Sequence, residues 1–406
     1  MMTTPRRRFF GGIAAAFAAS LAGQTANATA DNWHPGGPLL IKADVLFDGT
    51  QFLYGQAVLV RQGKIVKVAP AGEIKADGAK VVTVKGGTIL PGFIDMHTHH
   101  LVQHVPPQRI LEHGVTTARD LGGPLTPATI DKPYQLRQPL SGPIISAPGG
   151  YPNVVFPGSG VEIAGETNVR AKVDELAAGG ASIIALSLET GESEGAAWQW
   201  HMPATPPPWP TLTKGELEAI VDQAHNVHHL RVVAYFGSDA SAQRALDAGV
   251  DEWAHMPCDP LSPGVIASAG AKGVAIDTTI DTAVQCTGVH ENAAALFASG
   301  AKIFYATDMG HPDIPHGIDA QEIHVGIHAG MHNSLPFPDA VARALASATS
   351  LAGDYLGLAP LGRIVPGAPA DLIVIGSDPR ANFKELEFPR VVIKDGRIVI
   401  RRKAGQ

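Results

Sequence analysis

Cysteine is scarce in this 406-residue sequence, which contains only Cys258 and Cys286. One pair is too few for a fold built on disulfides. In an oxidising compartment the two thiols could form one bond, and otherwise they are small apolar residues, so both interpretations stay open. Each cysteine follows a predicted strand, at what should be the same end of the fold.

Positive charge is also limited. The chain has 31 Lys and Arg residues against 38 Asp and Glu residues, which gives a net charge of −7. A chain without a basic face is not expected to bind nucleic acid. Gly and Pro, at 45 and 32 residues, are scattered among apolar runs. That distribution is typical of a globular protein with many loops between strands and helices.

The first 30 residues have the pattern of a targeting segment. Three arginines at 6–8 precede two phenylalanines, a small-residue apolar stretch covers 11–23, and Ala-Thr-Ala at 28–30 offers a cleavage site. The apolar stretch is too short and too rich in Gly and Ala to predict a membrane span. The order resembles a twin-arginine signal, which predicts a periplasmic or secreted bacterial protein without a stable anchor. An uncleaved anchor is the alternative.

Both ends of the remaining chain consist of short strands separated by turn residues. This pattern covers residues 39–92 and 361–402, and Asp395-Gly396 fits a hairpin turn. We therefore expect a small β-sandwich domain formed by residues 31–92 and 359–406.

Between these ends, residues 93–358 alternate apolar strands with amphipathic helices. Helices are predicted over Lys214–His229, with Thr213 as N-cap, and over Ala240–Ala248, ending at Gly249. Strands are predicted at 183–188, 231–236, 252–256, 271–276 and 302–306. This alternation predicts an α/β fold with a (β/α)8 TIM-like barrel, in which catalytic residues lie at the C-terminal strand ends.

His97 and His99 lie on the first predicted barrel strand, which covers Phe93–His99. Residues two apart on a strand face the same side, so both imidazoles should point into the barrel mouth. Two imidazoles in this arrangement suit a divalent metal such as zinc. Asp308 follows the last predicted barrel strand, where a buried carboxylate needs a partner and a metal is the simplest one.

Five segments resemble the amidohydrolase superfamily, closest to its imidazolonepropionase-like and prolidase-like branch. Pro91–His99 is similar to the metal-binding first strand of that superfamily and Gly114–Asp120 to its second strand. Ala248–His255 resembles the segment that ends in the sixth-strand histidine, Ala306–Asp308 the eighth-strand aspartate, and Gly362–Val374 the return into the β-sandwich. The resemblance covers nearly the whole chain after the targeting segment.

The resemblance implies a metal-dependent hydrolase of carbon–nitrogen bonds. His97, His99 and Asp308 would bind the metal, and Asp308 would also take the proton of the attacking water and pass it to the leaving amine. His255 would bind a second metal or stabilise the developing oxyanion. One Zn²⁺ ion is expected, with another divalent metal as the alternative.

Two positions depart from the superfamily pattern. Ala185 stands where the fourth strand often carries a bridging lysine, and Tyr235 stands where the fifth strand usually ends in a histidine. A two-metal bridge is therefore not expected. Glu189, on the same strand face as Ala185, could replace the lysine as a metal ligand or contact the substrate. Tyr235 could donate a hydrogen bond to a substrate carbonyl or be a core aromatic residue.

The remaining histidines fall into two groups. Six lie on predicted helices, which face away from the barrel mouth, and are expected at the surface or between helices: His225, His228, His229, His324, His328 and His332. Four lie near the mouth, where they could line the pocket or contact substrate: His100, His104, His311 and His316.

A long Pro- and Trp-rich loop follows the fourth strand and includes Trp198, Trp200, His201 and residues 203–210. A loop of this kind at the active end predicts a lid or an aromatic substrate wall, with a dimer contact as the alternative. We therefore expect a small apolar or aromatic substrate, and a homo-oligomer is left open.

The leading hypothesis is an exported mononuclear zinc hydrolase of a small amide, peptide-like or cyclic amide bond, with lactone or ester hydrolysis also open. The alternatives are a binding protein or pseudoenzyme on the same fold, because fold does not fix function, and a metal-dependent lyase or isomerase.

Overall fold

A computed structural model describes residues 37–126, 132–201, 203–311 and 313–403. The predicted targeting segment, residues 1–30, lies outside the described residues, as does the side chain of Trp200. In the part of the chain that is described, no helix is long and apolar enough to cross a membrane.

The chain forms strands and helices in an order that separates a β-rich part from an alternating part. The strands are β1 Leu39–Phe47, β2 Phe52–Tyr54, β3 Gln56–Arg61, β4 Lys64–Pro70, β5 Lys80–Pro91, β6 Phe93–Thr98, β7 Val115–Asp120, β8 Ile144–Ser146, β9 Gly160–Glu162, β10 Ile184–Ser187, β11 Val232–Tyr235, β12 Glu252–Trp253, β13 Ala275–Asp277, β14 Lys302–Phe304, β15 Leu372–Ile375, β16 Val391–Lys394 and β17 Arg397–Arg401. The helices are α1 Pro107–Glu112, α2 Glu166–Ala178, α3 Lys214–Asp222, α4 Asp239–Ala248, α5 Pro263–Lys272, α6 Val289–Ser299, α7 Ala320–His332, α8 Phe337–Ser347 and α9 Ser350–Tyr355.

The alternating part is the predicted α/β barrel. Parallel strands run in the order β14-β13-β12-β11-β10-β8-β9, and β6 pairs with β7 in a separate parallel pair. The strand ladder does not close continuously among the described residues. Isolated bridges link this pair to segments next to the larger sheet, Thr98 to Met309 after β14 and Thr117 to Arg137 before β8. The C-terminal ends of β6 and β14 therefore meet beside one another.

Local sequence explains where several elements begin and end. Thr213 and Glu216 cap α3 reciprocally, which confirms the predicted N-cap. The predicted continuation to His229 is wrong, because α3 ends at Asp222 and a π-helical turn follows over Gln223–Val227. The predicted start of the seventh barrel strand at 271 is also wrong. Gly273, with φ of +61°, ends α5 in a left-handed cap, so β13 begins only at Ala275.

The β-rich part is one eight-stranded sheet in the order β17-β16-β15-β5-β1-β3-β4, with β2 paired to β1. Both ends of the chain contribute, as predicted, since Ile89 of β5 pairs with Val374 of β15. Ile41, Val374 and Ile393 belong to one buried cluster, so strands far apart in sequence share a core. The barrel is therefore inserted between two halves of this sheet.

Candidate active site

His97, His99 and Asp308 come together at the C-terminal end of the barrel. Nε2 of His97 lies 3.2 Å from Nε2 of His99 and 3.7 Å from Oδ1 of Asp308. Nε2 of His99 lies 3.3 Å from the same oxygen. These three residues each offer one ligand atom, and the three atoms all lie within 4.8 Å of one another, so the group could hold a metal ion.

The donor set fits a divalent metal. Zinc bonds histidine nitrogen at about 2.0–2.1 Å, so two tetrahedral ligands lie roughly 3.3 Å apart. The His97–His99 and His99–Asp308 separations, 3.2 and 3.3 Å, are close to that value. Nδ1 of His97 lies 2.6 Å from the carbonyl oxygen of Ala254. A carbonyl only accepts, so the hydrogen is on Nδ1 and the lone pair of Nε2 is free for a metal.

A buried ionic network lies beneath the histidines. Arg119 donates from Nη1 to Glu252 at 3.1 Å, from Nη2 to Asp277 at 3.1 Å, and from Nε to the carbonyl of Met96 at 2.6 Å. Asp277 also lies 3.5 Å from Nδ1 of His97. Burial raises the pKa of Asp277 and lowers that of His97. The network thus fixes the strand that carries His97 to its neighbours across the barrel.

Asp95 joins β6 to the segment that carries Asp308. Its carboxylate accepts hydrogen bonds from the backbone N–H of His97 at 3.2 Å, and from the N–H and hydroxyl of Thr307 at 3.1 and 2.6 Å. Burial raises the pKa of Asp95 to about 7, although these hydrogen bonds oppose the shift. Sequence reasoning missed this residue. The available signal was a carboxylate within an otherwise apolar strand, where charged residues are rarely buried without partners.

Two residues of the site have left-handed backbones. Asp308 has φ of +61° and Thr279 has φ of +43°. Positive φ is uncommon outside glycine, particularly for a β-branched residue, and such strain clusters at functional sites. The backbone N–H of Asp308 donates to the carbonyl of His97 at 2.9 Å, which holds this conformation beside β6.

A cleft opens above the three residues and encloses about 1070 Å³ of empty space, including its open mouth. Its aromatic wall consists of Tyr151, Phe156, Trp198 and Phe236. The polar side chains that line it include His99, Gln103, Glu189, His201, Tyr235, His255, Thr279, Thr282, Asp308 and His311. The cleft therefore combines an apolar wall with polar groups gathered near the ligand atoms.

A model of the amidohydrolase family matches residues 88–399 of this chain. The chain belongs to the amidohydrolase family. It is a hydrolase, and members of this family generally depend on a metal, to which the group around His97 corresponds.

Solved structures share the fold of this chain, and one curated protein matches a short segment of it. An amidohydrolase structure has a TM-score of 0.73 at 22% identity, covering 90% of this chain and 99% of the other. A Xaa-Pro dipeptidase with bound methionine has a TM-score of 0.72 at 21% identity, with 89% and 99% covered. An ochratoxinase from A. niger has a TM-score of 0.69 at 17% identity, with 90% and 96% covered. An adenine deaminase from Rhizobium johnstonii is 41% identical over 49 residues, which is 12% of this chain and 8% of that protein.

His255 and Tyr235 flank the ligand group of this amidohydrolase. The ring of His255 lies 4.6 Å from that of His97, and its Nδ1 lies 2.9 Å from the hydroxyl of Thr279. Burial lowers the pKa of His255 to about 4, so its imidazole is neutral at neutral pH. The hydroxyl of Tyr235 lies 3.2 Å from Nε2 of His97 and donates to the carbonyl of Leu121 at 3.2 Å. Neither side chain belongs to the three-residue group.

Glu189 lines the same cleft, outside the ligand group. Its carboxylate is buried and accepts a hydrogen bond from the N–H of Gly191 at 2.7 Å. Burial raises the pKa of Glu189 to about 7, against the lowering effect of nearby backbone N–H groups. Ala185, the position of the absent lysine, is fully buried on β10 and offers no ligand.

Of the four histidines predicted near the mouth, His311 lines the cleft and the other three do not. His311 lines the cleft, and its Nε2 lies 3.4 Å from that of His201. His100 is instead buried beneath it, with Nδ1 2.7 Å from the hydroxyl of Thr98 and Nε2 2.7 Å from the side-chain oxygen of Gln138. His104 and His316 are not among the described residues that line the cleft.

None of the six histidines predicted on helices is among the described residues that line the cleft, although His228 and His229 follow the π-helical turn instead of lying on a helix. His225 and His228 pair with Asp251 and Asp174 at 2.7 and 2.6 Å, away from the cleft. His324 and His328 contact each other on one face of α7, with their Nε2 atoms 3.0 Å apart.

Cys258 and Cys286 form a disulfide, with Cα atoms 4.8 Å apart. The bond joins the loop after β12 to the segment before α6, and both cysteines line the cleft. Of the two interpretations that the sequence left open for these cysteines, the structure has the disulfide, which links two loops of the cleft wall.

Proposed function

We propose that this amidohydrolase is an exported enzyme that hydrolyses a small amide, peptide-like or cyclic amide bond with one zinc ion. The substrate could instead be a lactone or an ester, because a metal-activated water attacks these carbonyl groups in the same way. The observation that carries it is the triangle formed by His97, His99 and Asp308, with two edges of 3.2 and 3.3 Å, at the floor of a large cleft.

A divalent ion bound by these three residues would lower the pKa of a water molecule toward neutrality and polarise a carbonyl group. Asp308 accepts the proton of the attacking water and passes it to the leaving nitrogen. Its left-handed backbone and its hydrogen bond to the His97 carbonyl hold the carboxylate at the end of β14 for both steps.

His255 and Tyr235 stabilise the negative charge that develops on the carbonyl oxygen. Both side chains line the cleft next to the ligand group. His255 is neutral and accepts from the Thr279 hydroxyl at Nδ1, so its hydrogen is on Nε2. The single hydroxyl hydrogen of Tyr235 turns from the carbonyl of Leu121 to the substrate oxygen. Thr279 orients the His255 ring through Nδ1, which leaves Nε2 for the substrate. The ligand roles expected for His255 and Glu189 stay predictions.

The aromatic wall favours an apolar or aromatic substrate. Tyr151 stacks on Trp209 with ring centroids 6.1 Å apart, and Trp198 meets the same indole edge-on at 4.8 Å. Solved structures of this fold include a Xaa-Pro dipeptidase and a molinate hydrolase, which is consistent with hydrolysis. Export is supported by the targeting pattern in the sequence and by the Cys258–Cys286 disulfide, since such bonds persist in oxidising compartments.

The test measures metal content by elemental analysis and hydrolysis of a panel of aryl amides and lactones. We expect about one zinc per chain in the wild type and a loss of metal in His97→Ala. Asp308→Asn should lower kcat by about 10²–10⁴, the usual contribution of a positioned acid–base group. The matched control is His324→Ala on α7, outside the cleft lining, which should keep both metal and rate. A wild type without metal, or full kcat in Asp308→Asn, contradicts the proposal.

A further inference from the structure

The permanently charged protein side chains that line the cleft are all negative among the described residues. Among the described residues that line it, Glu189 and Asp308 carry carboxylates, and no lysine or arginine is present. Histidine is the remaining basic residue type in the lining, and burial lowers the pKa of His201 and of His255. A substrate with a free carboxylate would therefore meet no permanent positive charge from the described protein side chains.

Glu189 is a buried carboxylate without a charged partner. No Lys, Arg or His of the described chain forms an ion pair with it, and its hydrogen bonds come from neutral backbone N–H groups, among them that of Gly191 at 2.7 Å. Buried carboxylates are costly unless they are paired. Asp308 contacts two histidines and has a place in the proposed reaction, whereas Glu189 lies outside the ligand group and has none.

Aromatic rings lie next to the loop that carries Glu189. Gly191, whose N–H binds Glu189, lies against the ring of Trp209, where a Cβ would come within 2.7 Å of the indole. Trp209 in turn contacts Tyr151 and Trp198 of the aromatic wall. Tyr151 is close enough to Glu189 and Asp308 that, after burial, their charges further raise the pKa of its phenol. A carboxylate beside aromatic faces is the combination that binds organic ammonium groups.

We propose that Glu189 and the aromatic wall select amides that bring a positively charged nitrogen into the cleft and discriminate against amides with a free carboxylate. This inference rests on the proposed hydrolase function and names its substrate class. The ammonium group would donate a charge-assisted hydrogen bond to Glu189 while its hydrocarbon part lies against the rings. Glu189 is then a specificity-determining residue rather than a metal ligand.

The first test uses three chromogenic anilides with the same scissile bond and the same aromatic side chain. These are phenylalanine 4-nitroanilide, its N-acetyl derivative and its N-succinyl derivative, which are cationic, neutral and anionic. We expect kcat/KM to fall in that order, with the cationic amide at least about tenfold above the neutral one. In Glu189→Gln this ratio should fall to about one. In Glu192→Gln, which changes an exposed carboxylate three residues away, the ratio should stay as in the wild type.

The second test measures binding without catalysis. Phenethylamine, phenethyl alcohol and 3-phenylpropionate are titrated by calorimetry into wild type and Glu189→Gln, and the zinc content of both proteins is determined. The amine should bind at least about tenfold more tightly than the alcohol, about 1.4 kcal/mol, and only in the wild type. Zinc content should be equal in both.

Equal binding of the three ligands, tighter binding of the carboxylate, or loss of zinc in Glu189→Gln overturns the inference. If the amine is preferred in a Glu189-dependent way but none of the anilides is cleaved, the selection of ammonium groups stands and the proposed hydrolysis of such amides fails. The two proposals are thereby tested separately.

Discussion

Breaking the Cys258–Cys286 bond should lower the free energy of unfolding by an amount set by the length of the loop that the bond closes. The bond closes a loop with a sequence separation of 28. The chain-entropy model assigns about 3.6 kcal/mol at 25 °C to a loop of this length, near the upper end of the usual range. Both cysteines are buried in the cleft wall, so their loops gain freedom where the substrate binds. Reduction should therefore lower stability and raise KM.

The assay compares urea denaturation of the wild type with and without a phosphine reductant, after thiol titration confirms that two thiols are free. The expected difference in unfolding free energy is about 3–4 kcal/mol. The double variant Cys258→Ala/Cys286→Ala is the control, because the reductant has no bond to break in it. Superimposed curves for oxidised and reduced wild type would refute the reasoning, and an equal response of the double variant would assign the effect to the reductant.

Two further predictions concern buried charges. Arg119→Met leaves the carboxylates of Glu252 and Asp277 buried without their cation and should cost about 3–5 kcal/mol of unfolding free energy, whereas Arg170→Met, at a half-exposed ion pair, should cost less than about 1 kcal/mol. Similar urea midpoints for the two variants would contradict this. Burial raises the pKa of Glu322 to about 8 from a reference of 4.5, so the folded state holds this proton more tightly than the unfolded state. The free energy of unfolding should then fall as the pH rises from 4.5 to about 8. An equally steep fall in a Glu322→Gln variant would show that Glu322 is not the group responsible.

The ligand group could be predicted because it depends on two regular rules. Strand alternation places His97 and His99 on one side of β6, and barrel geometry places Asp308 beside them at the end of β14. The N-cap role of Thr213 could be predicted equally well, since a capping box depends only on residues close together in sequence. Each of these inferences needed only the period of one element or the common direction of parallel strands.

Other parts of the site depend on contacts that no local pattern encodes. Arg119 meets Asp277 across a separation of 158 residues, and His201 meets His311 across 110. The sequence left the role of Glu189 open because strand period sets the face of a side chain but not the distance to the metal ligands. The sequence also left open whether His100 lines the pocket, and its two hydrogen-bond partners, Thr98 and Gln138, hold it beneath the cleft.

The pairing of β5 with β15 has a consequence for synthesis on the ribosome. Strand β5 is complete at Pro91, but the edge that Ile89 offers is covered only when Val374 has emerged. The nascent chain therefore carries an open β-edge while the whole barrel is made, and an open edge is a template for intermolecular pairing. Premature termination anywhere within the barrel would leave that edge permanently uncovered, so truncated products should aggregate through β5 even where their barrel strands have begun to pair.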